Sequence, residues 1–149
     1  MEAEFPMDLS NRETIDDLRS WLRLLEEEEH LTRITEKVHW DKELSGVVRR
    51  TYDTLGDASP AMLFENIDGY PAPGPNKLFI GQFRSYSRVC MMLGLDPVNT
   101  TRREIIGCLR QRFQEKVDPV MVEEATVHQN VETGDAINVL KFPVPIFNH

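Results

Sequence analysis

The sequence predicts a single α+β or mixed α/β domain in which several helices pack on a mixed β-sheet. Its 149 residues are enough for one domain with its own core, and two domains would be cramped. Segments with helical periodicity alternate with short apolar runs typical of strands. Several of these runs are joined by connections too short for the crossover helices of a wholly parallel sheet, so we expect a mixed sheet.

The first two helices are predicted from caps and apolar spacing. Thr14 and Asp17 are expected to form a capping box at the start of the first helix. The helix should fray or end at the glutamates 26–29, because the macrodipole disfavours negative charge there. The second helix is expected between Asp41 as the N-cap and Gly56 as a left-handed C-terminal residue. The apolar stripes of the two helices are Ile15, Leu18, Trp21, Leu22 and Leu25, then Leu44, Val47, Val48, Tyr52 and Leu55.

Two further helices are expected in the second half of the chain. A short helix in RSYSRVCMMLGLDP should end at Gly94 and bury Val89, Met92 and Leu93. The next begins with a second capping box, formed by Thr101 and Glu104. Its apolar stripe is Ile105, Ile106, Leu109 and Phe113.

Strands are predicted in four places. LTRITEKV is interpreted as a short strand, and AMLFENI and KLFIGQF as two more that flank the loop YPAPGPN. This loop, with Tyr70 at its edge, is either a plain strand connection, which is favoured, or a contact for a partner. PVMVEEATVHQNVETGDAINVLKFPVPIF is expected to form strands interrupted by the turn ETGD.

Charge and hydropathy exclude some function classes. The net charge of −8 disfavours nucleic-acid binding, and Arg102, Arg103, Arg110 and Arg112 are interpreted as a solvated helix face. No apolar run approaches the roughly 20 residues that a membrane span requires. The N-terminus is acidic and lacks the pattern of a signal peptide, so a cytoplasmic location is expected.

The sequence contains no recognisable catalytic motif. No phosphate-binding, dinucleotide-binding, hydrolase or zinc-protease motif occurs. Cys90 and Cys108 are interpreted as buried reduced thiols. The histidines, His30, His39, His128 and His149, are too far apart in sequence for a ligand motif. Glu65, between apolar residues of a predicted strand, is the carboxylate of most interest, although it is expected to face solvent. These residues favour a binding or assembly module over an enzyme.

Four stretches, taken in order, resemble one protein family. They are DLRSWLRLLEEEEHLTRI, PAMLFENIDGYPAP, GQFRSYSRVCMMLGLD and VEEATVHQNVETGDAINVLKFPVPIF. Together they look like the N-terminal region of the UbiD family, the polyprenyl-hydroxybenzoate carboxy-lyases that depend on prenylated FMN. The resemblance covers nearly the whole chain and rests on the order and spacing of the stretches.

The resemblance implies a reversible, non-oxidative decarboxylation of an aromatic or α,β-unsaturated carboxylic acid. In that family a prenylated flavin accepts the charge left when CO₂ departs, an arginine and two acidic residues act in proton transfer, and a divalent metal, Mn or Mg, helps to hold the flavin phosphate. These residues lie beyond the stretch that matches KFPVPIFNH. No catalytic, cofactor-binding or metal-binding residue is therefore assigned to this chain, and Arg84, Arg88 and Glu65 are not promoted to such roles.

The resemblance also implies a domain organisation and two hypotheses. Residues 1–12 are expected to be flexible, 13–141 to form the N-terminal domain, and 142–149 to be a proline-containing extended segment leading to a missing flavin-binding domain. In the preferred hypothesis the chain is part of a carboxy-lyase, inactive alone. In the alternative it is a stand-alone interaction module that docks onto a separate catalytic subunit. A severed domain would leave Val144, Ile146 and Phe147 exposed.

Overall fold

The structure is a computed structural model and describes residues 15–146. The expectations for residues 1–12, Thr14, Phe147 and His149 lie outside the described residues. The helices are α1 (Leu18–Glu27), α2 (Glu43–Leu55), α3 (Tyr86–Leu93) and α4 (Arg102–Gln114), and the strands are β1 (Leu31–Ile34), β2 (Ala61–Phe64) and β3 (Leu78–Ile80). Single 3₁₀ turns lie at Gly56–Ala58, Thr126–Gln129, Gly134–Ala136 and Val139–Lys141. Helices packed on a sheet confirm the predicted fold class.

The sheet is mixed, with strand order β1-β2-β3. β1 and β2 are parallel, with Leu31 opposite Ala61, and α2 lies in the crossover that joins them. β2 and β3 are antiparallel, with Met62 opposite Ile80, and the proline-rich loop connects them. All four residues of the central strand β2 are buried. Because β2 has a neighbour on each side and helices against it, a continuous apolar run fits this position.

The core has three parts that follow from the apolar stripes of the helices. α2 packs on the sheet through Leu44 and Val48, and α1 packs through Trp21 and Leu25. Cys90, Leu93, Leu95 and Ile105 join α3 to α4. Leu18, Leu55, Ile106 and Phe113 were predicted to be inward but are exposed. Each lies near a helix end or on α4, where no other element covers it.

The helix starts differ from the prediction at two positions. Asp17 is itself the N-cap of α1, and its carboxylate accepts the Ser20 N–H at 2.7 Å, so the predicted role of Asp17 inside the helix was wrong. The N-cap of α2 is Lys42, with φ of 64°, and not Asp41. The Asp41 backbone bridges to Ile146 and donates its N–H to His39 Nδ1, so this residue lies just outside the helix.

The end of α3 and the second capping box agree with the sequence. Gly94 ends α3 in the left-handed conformation, with φ of 71° and ψ of 27°, whereas Gly56 follows α2 with φ of 56° and ψ of −127°, outside the left-handed helical conformation that was predicted. Thr101 and Glu104 make the reciprocal bonds of a capping box at the start of α4. In α3, Leu93 is buried as predicted, whereas Val89 and Met92 are only half-buried. α1 ends at Glu27, within the acidic run.

The chain after α4 was predicted to form strands and forms none within the described residues. We call residues 117–144 the arm. Three 3₁₀ turns interrupt it, and most of its side chains are exposed. The prediction was wrong because β-propensity requires a neighbouring strand with free backbone groups, and the arm pairs with neither edge of the sheet. Just beyond it, Ile146 bridges to Asp41 in parallel.

Candidate functional site

Arg88 of α3 is a buried cation at the junction of three elements. Its side chain is 1% exposed. Nε donates to the Gly81 carbonyl, just after β3, at 3.1 Å, and Nη1 donates to the Ser59 carbonyl, just before β2, at 2.8 Å. Nη2 has no partner among the described residues. Burial lowers the pKa of this guanidinium, yet an arginine stays charged at neutral pH, so Arg88 fastens α3 to two strand ends.

Tyr52 and Arg84 lie beside this junction. The Arg84 guanidinium carbon is 4.2 Å from the centre of the Tyr52 ring, which is a cation–π arrangement. Burial raises the pKa of Tyr52, while Arg84 and Arg88 oppose this shift. Gly81 has φ of 87°, and a Cβ at this position would lie 2.7 Å from the Tyr52 hydroxyl. The close approach of Tyr52 therefore requires glycine at position 81.

A shallow groove of about 350 Å³ opens next to these residues. Its lining residues come from the segment before α3, from α3 and from α4, and they include Phe83, Arg84, Tyr86, Arg102, Ile105 and Ile106. Asp57 also lines the groove and accepts the Tyr86 N–H at 3.3 Å. The groove combines apolar side chains with two guanidinium groups. It offers no nucleophile paired with a base, so its chemistry is that of a contact surface.

Glu65 lies in an ion-pair cluster that links α1 to the sheet. Its carboxylate accepts from Lys77 at 2.6 Å and from Arg33 at 3.1 Å, and Arg33 also pairs with Glu26 at 2.7 Å. The hydrogen bond from Lys77 holds the pKa of Glu65 below its ordinary value. The expectation that Glu65 simply faces solvent was wrong, because its side chain is only 17% exposed.

Among residues 15–146, the three histidines and two cysteines are not grouped together. His30 is half-buried, His39 stacks on Trp40, and His128 is exposed in the arm. Within residues 15–146, no three His, Cys, Asp or Glu side chains are grouped to hold a metal ion. Cys90 is buried, which raises the pKa of its thiol, and Cys108 is half-buried. Both are free thiols.

The arginines of α4 have different roles. Arg102 faces the groove, and Arg112 donates to the Leu93 carbonyl at 2.8 Å, which ties α4 to α3. Arg103 and Arg110 are exposed, as expected for a solvated face. Among the described helices, none has both the length and the apolar character that a membrane crossing demands.

Sequence reasoning missed the burial of Arg88, although a signal was present. Arg88 and Met91 are three residues apart in α3, and both are buried. That spacing places Arg88 on the inward face of α3. The usual exposure of arginine outweighed the pattern in the prediction.

Comparison with known proteins gives the family. A family model described as the 3-octaprenyl-4-hydroxybenzoate carboxy-lyase N-terminal domain matches residues 22–106, which is more than half of the chain. A phenolic acid decarboxylase of Bacillus subtilis is 36% identical over 132 residues, covering 88% of this chain and 26% of the relative. A pyrrole-2-carboxylic acid decarboxylase of Pseudomonas aeruginosa is 29% identical over 144 residues, covering 93% of this chain and 28% of the relative.

A solved structure agrees with the sequence match. The vanillic acid decarboxylase of Sedimentibacter hydroxybenzoicus in its open form superposes with a TM-score of 0.76 at 30% identity, covering 92% of this chain and 28% of that one. The chain thus spans about a quarter of the length of the curated relatives it matches. Sequence and fold lead to one conclusion, that this chain belongs to the UbiD family of carboxy-lyases and carries the family's N-terminal domain.

Proposed function

We propose that this domain serves a complete carboxy-lyase that removes CO₂ from an aromatic or α,β-unsaturated carboxylic acid in a reversible, non-oxidative reaction. The match of the family model to residues 22–106 carries the proposal. The names of the relatives support it, since they are decarboxylases of phenolic, pyrrole-2-carboxylic and vanillic acids. The shared chemistry is loss of a carboxyl group from a conjugated ring or chain.

The proposal includes prenylated FMN and a divalent metal, Mn or Mg, as cofactors of the complete enzyme. Such a flavin supplies an electron sink for the charge left when CO₂ departs. The described residues do not fit these groups, because they contain no cluster of metal-ligating side chains and the shallow groove is lined mainly by apolar residues and arginines. We therefore derive no catalytic step from this domain and place cofactor binding in the remainder of the enzyme.

Residues 13–141 are proposed to form the N-terminal domain, and the proline-containing segment 142–149 is proposed to lead to the flavin-binding region. A cytoplasmic location is part of the proposal. The free thiols of Cys90 and Cys108 fit a reducing compartment. The alternative of a non-catalytic module docked onto a separate catalytic subunit gains no support of its own from the relatives.

A reconstitution assay tests the proposal. The 149-residue chain is incubated with prenylated FMN and Mn²⁺ and offered vanillic acid, pyrrole-2-carboxylic acid and a phenolic acid, and CO₂ release is measured. We expect no turnover, because the described residues lack a cofactor site. The vanillic acid decarboxylase of S. hydroxybenzoicus is the positive control. Turnover by the chain alone would contradict the proposal that cofactor binding lies in the remainder of the enzyme.

A further inference from the structure

The arm exposes an unusual amount of apolar surface. Eleven large apolar side chains between residues 117 and 144 are each at least 51% exposed, and Met121 reaches 95%. They are Val117, Val120, Met121, Val122, Val127, Val131, Ile137, Val139, Leu140, Phe142 and Val144. So many exposed apolar side chains in one segment favour a contact with another protein surface.

Within the part of the chain that the structure describes, the arm makes only local hydrogen bonds, and the contacts that fix its course lie near its two ends. Its hydrogen bonds within the described residues join positions no more than nine apart, such as His128 to Ala125 and Lys141 to Glu132. Arg112 holds the helix that precedes the arm, and the bridge from Asp41 to Ile146 holds the chain that follows it. Pro143 of the arm is buried near the bridge at Ile146, and no hydrogen bond in the described part of the chain joins the rest of the arm to the helices or the sheet.

The arm is also acidic. It contains five acidic residues, namely Asp118, Glu123, Glu124, Glu132 and Asp135, against the single basic residue Lys141, a net charge of −4. Apolar side chains with carboxylates between them complement a partner surface that is apolar with a basic rim.

Most of the arm is matched by residues of a longer enzyme. The match to the vanillic acid decarboxylase covers 92% of this chain and leaves about 12 of the 149 residues of this chain unmatched. The arm has 28 residues, so fewer than half of them can be unmatched. Most of the arm therefore has a counterpart in that enzyme, where this chain corresponds to only 28% of the length. The remaining length of the carboxy-lyase is thus available to cover the arm.

We propose that the arm is the docking surface for the flavin-binding remainder of the carboxy-lyase. This inference rests on the proposed function and names the surface through which the N-terminal domain joins the catalytic part. The arm lies along an apolar strip of its partner, with its carboxylates on basic side chains at the rim. The loop YPAPGPN, considered earlier as a partner contact, is not needed for this docking.

A chimera tests the docking surface. The part of the B. subtilis phenolic acid decarboxylase that matches this chain is replaced by the full 149 residues. Hydrogen exchange of the arm amides is then compared between the isolated chain and the chimera. We expect fast exchange in the isolated chain and at least a tenfold slowing in the chimera, because docking shields the arm from solvent.

Matched variants separate docking from general stability. Val120→Asp should lower the melting temperature of the chimera by about 5 °C or more, because a carboxylate would be buried at the interface, and leave that of the isolated chain unchanged. Val98→Asp is the control, since Val98 is 87% exposed but lies outside the arm, whereas Val120 is 82% exposed within it. Equal shifts for the two variants in the chimera would overturn the proposal.

The outcomes distinguish the two proposals. A chimera that decarboxylates while its arm exchanges as fast as in the isolated chain overturns the docking surface and leaves the proposed function intact. A chimera with a protected arm that does not decarboxylate supports the docking surface and counts against the function. An inactive chimera with an exposed arm contradicts both.

Discussion

At the scale of single residues, the buried guanidinium of Arg88 has the strongest structural consequences. It satisfies the carbonyls of Ser59 and Gly81, and removing it would leave both without their present donors. A hydrogen bond to a charged group is worth about 1.5–3 kcal/mol. Arg88 is therefore a residue that holds the sheet to α3, although arginine is a residue type often associated with substrate carboxylates.

Arg88→Met should destabilise the chain by about 2–4 kcal/mol, because it keeps most of the side-chain volume but removes two hydrogen bonds. Urea denaturation of the 149-residue chain measures this loss. Arg84→Met is the matched control, since Arg84 is exposed and stacks on Tyr52, and its loss should cost about 0.5–1 kcal/mol. Similar losses for the two variants would contradict the role given to Arg88.

The stability that Glu65 contributes should depend on pH. Its pKa is lowered in the folded state, chiefly by Lys77, so its stabilisation is present above the unfolded pKa of about 4.3 and is lost as pH falls through the lower folded value. Wild type should exceed Glu65→Gln in stability by about 0.5–1 kcal/mol at pH 6, a small figure because Lys77 is mostly exposed.

The difference between wild type and Glu65→Gln should shrink as the pH approaches 3, as measured by urea midpoints at both pH values. Glu115→Gln serves as the control, because Glu115 is exposed at the end of α4. If the stability difference between wild type and Glu65→Gln instead increased as the pH fell, the stabilising interaction assigned to Glu65 and Lys77 would be contradicted.

At the scale of elements, the helices were the most predictable part of the fold. Apolar spacing located all four, and the capping box of Thr101 and Glu104 fixed the start of α4. The strands of the sheet were also located, because β2 and β3 are short apolar runs between turn residues and β1, with the sequence LTRI, has an apolar residue at each end. These signals are local in sequence, which is why they could be used without a structure.

Several predictions that were wrong involve distant parts of the chain. Asp41 is not the N-cap of α2, and its backbone bridges to Ile146, more than 100 residues away. The strands predicted after α4 needed a neighbouring edge that the described domain does not supply. The ion pair between Arg33 and Glu65, and the groove beside α4, likewise arise from residues far apart in sequence.

Two glycines offer opposite predictions for helix stability. Gly94→Ala should destabilise the chain by about 1 kcal/mol, because Gly94 ends α3 with φ of 71°, where a Cβ is unfavourable. Gly107→Ala should stabilise it by about 0.5–1 kcal/mol, since Gly107 lies inside α4 and a Cβ there meets no atom within 4 Å. Thermal melting of both variants measures the contrast, and shifts of the same sign would contradict it.

At the scale of the whole molecule, net charge and exposed apolar surface have opposite effects on association between copies of the chain. The net charge of −8 keeps copies apart, and the isoelectric point is near 5.0. The exposed arm favours association once that repulsion is removed. The balance between the two should therefore depend on pH and on salt.

Light scattering of the isolated chain should rise as pH falls from 8 towards 5, because repulsion between copies disappears near the isoelectric point. Met121→Glu should reduce this rise, since it puts a charge at the most exposed apolar position of the arm. Val98→Glu adds the same charge elsewhere. An equal reduction by both variants would mean that net charge, and not the arm, controls association.

The local bonding of the arm has a consequence for the lifetime of the chain. Among the described residues, the hydrogen bonds of the arm join positions no more than nine apart, so the arm can enter a protease cleft without unfolding the rest of the domain. Cleavage should begin between residues 117 and 144 and spare the helices and sheet. We expect molecules in which the flavin-binding remainder covers the arm to outlast those in which it does not, because an uncovered arm is cleaved first.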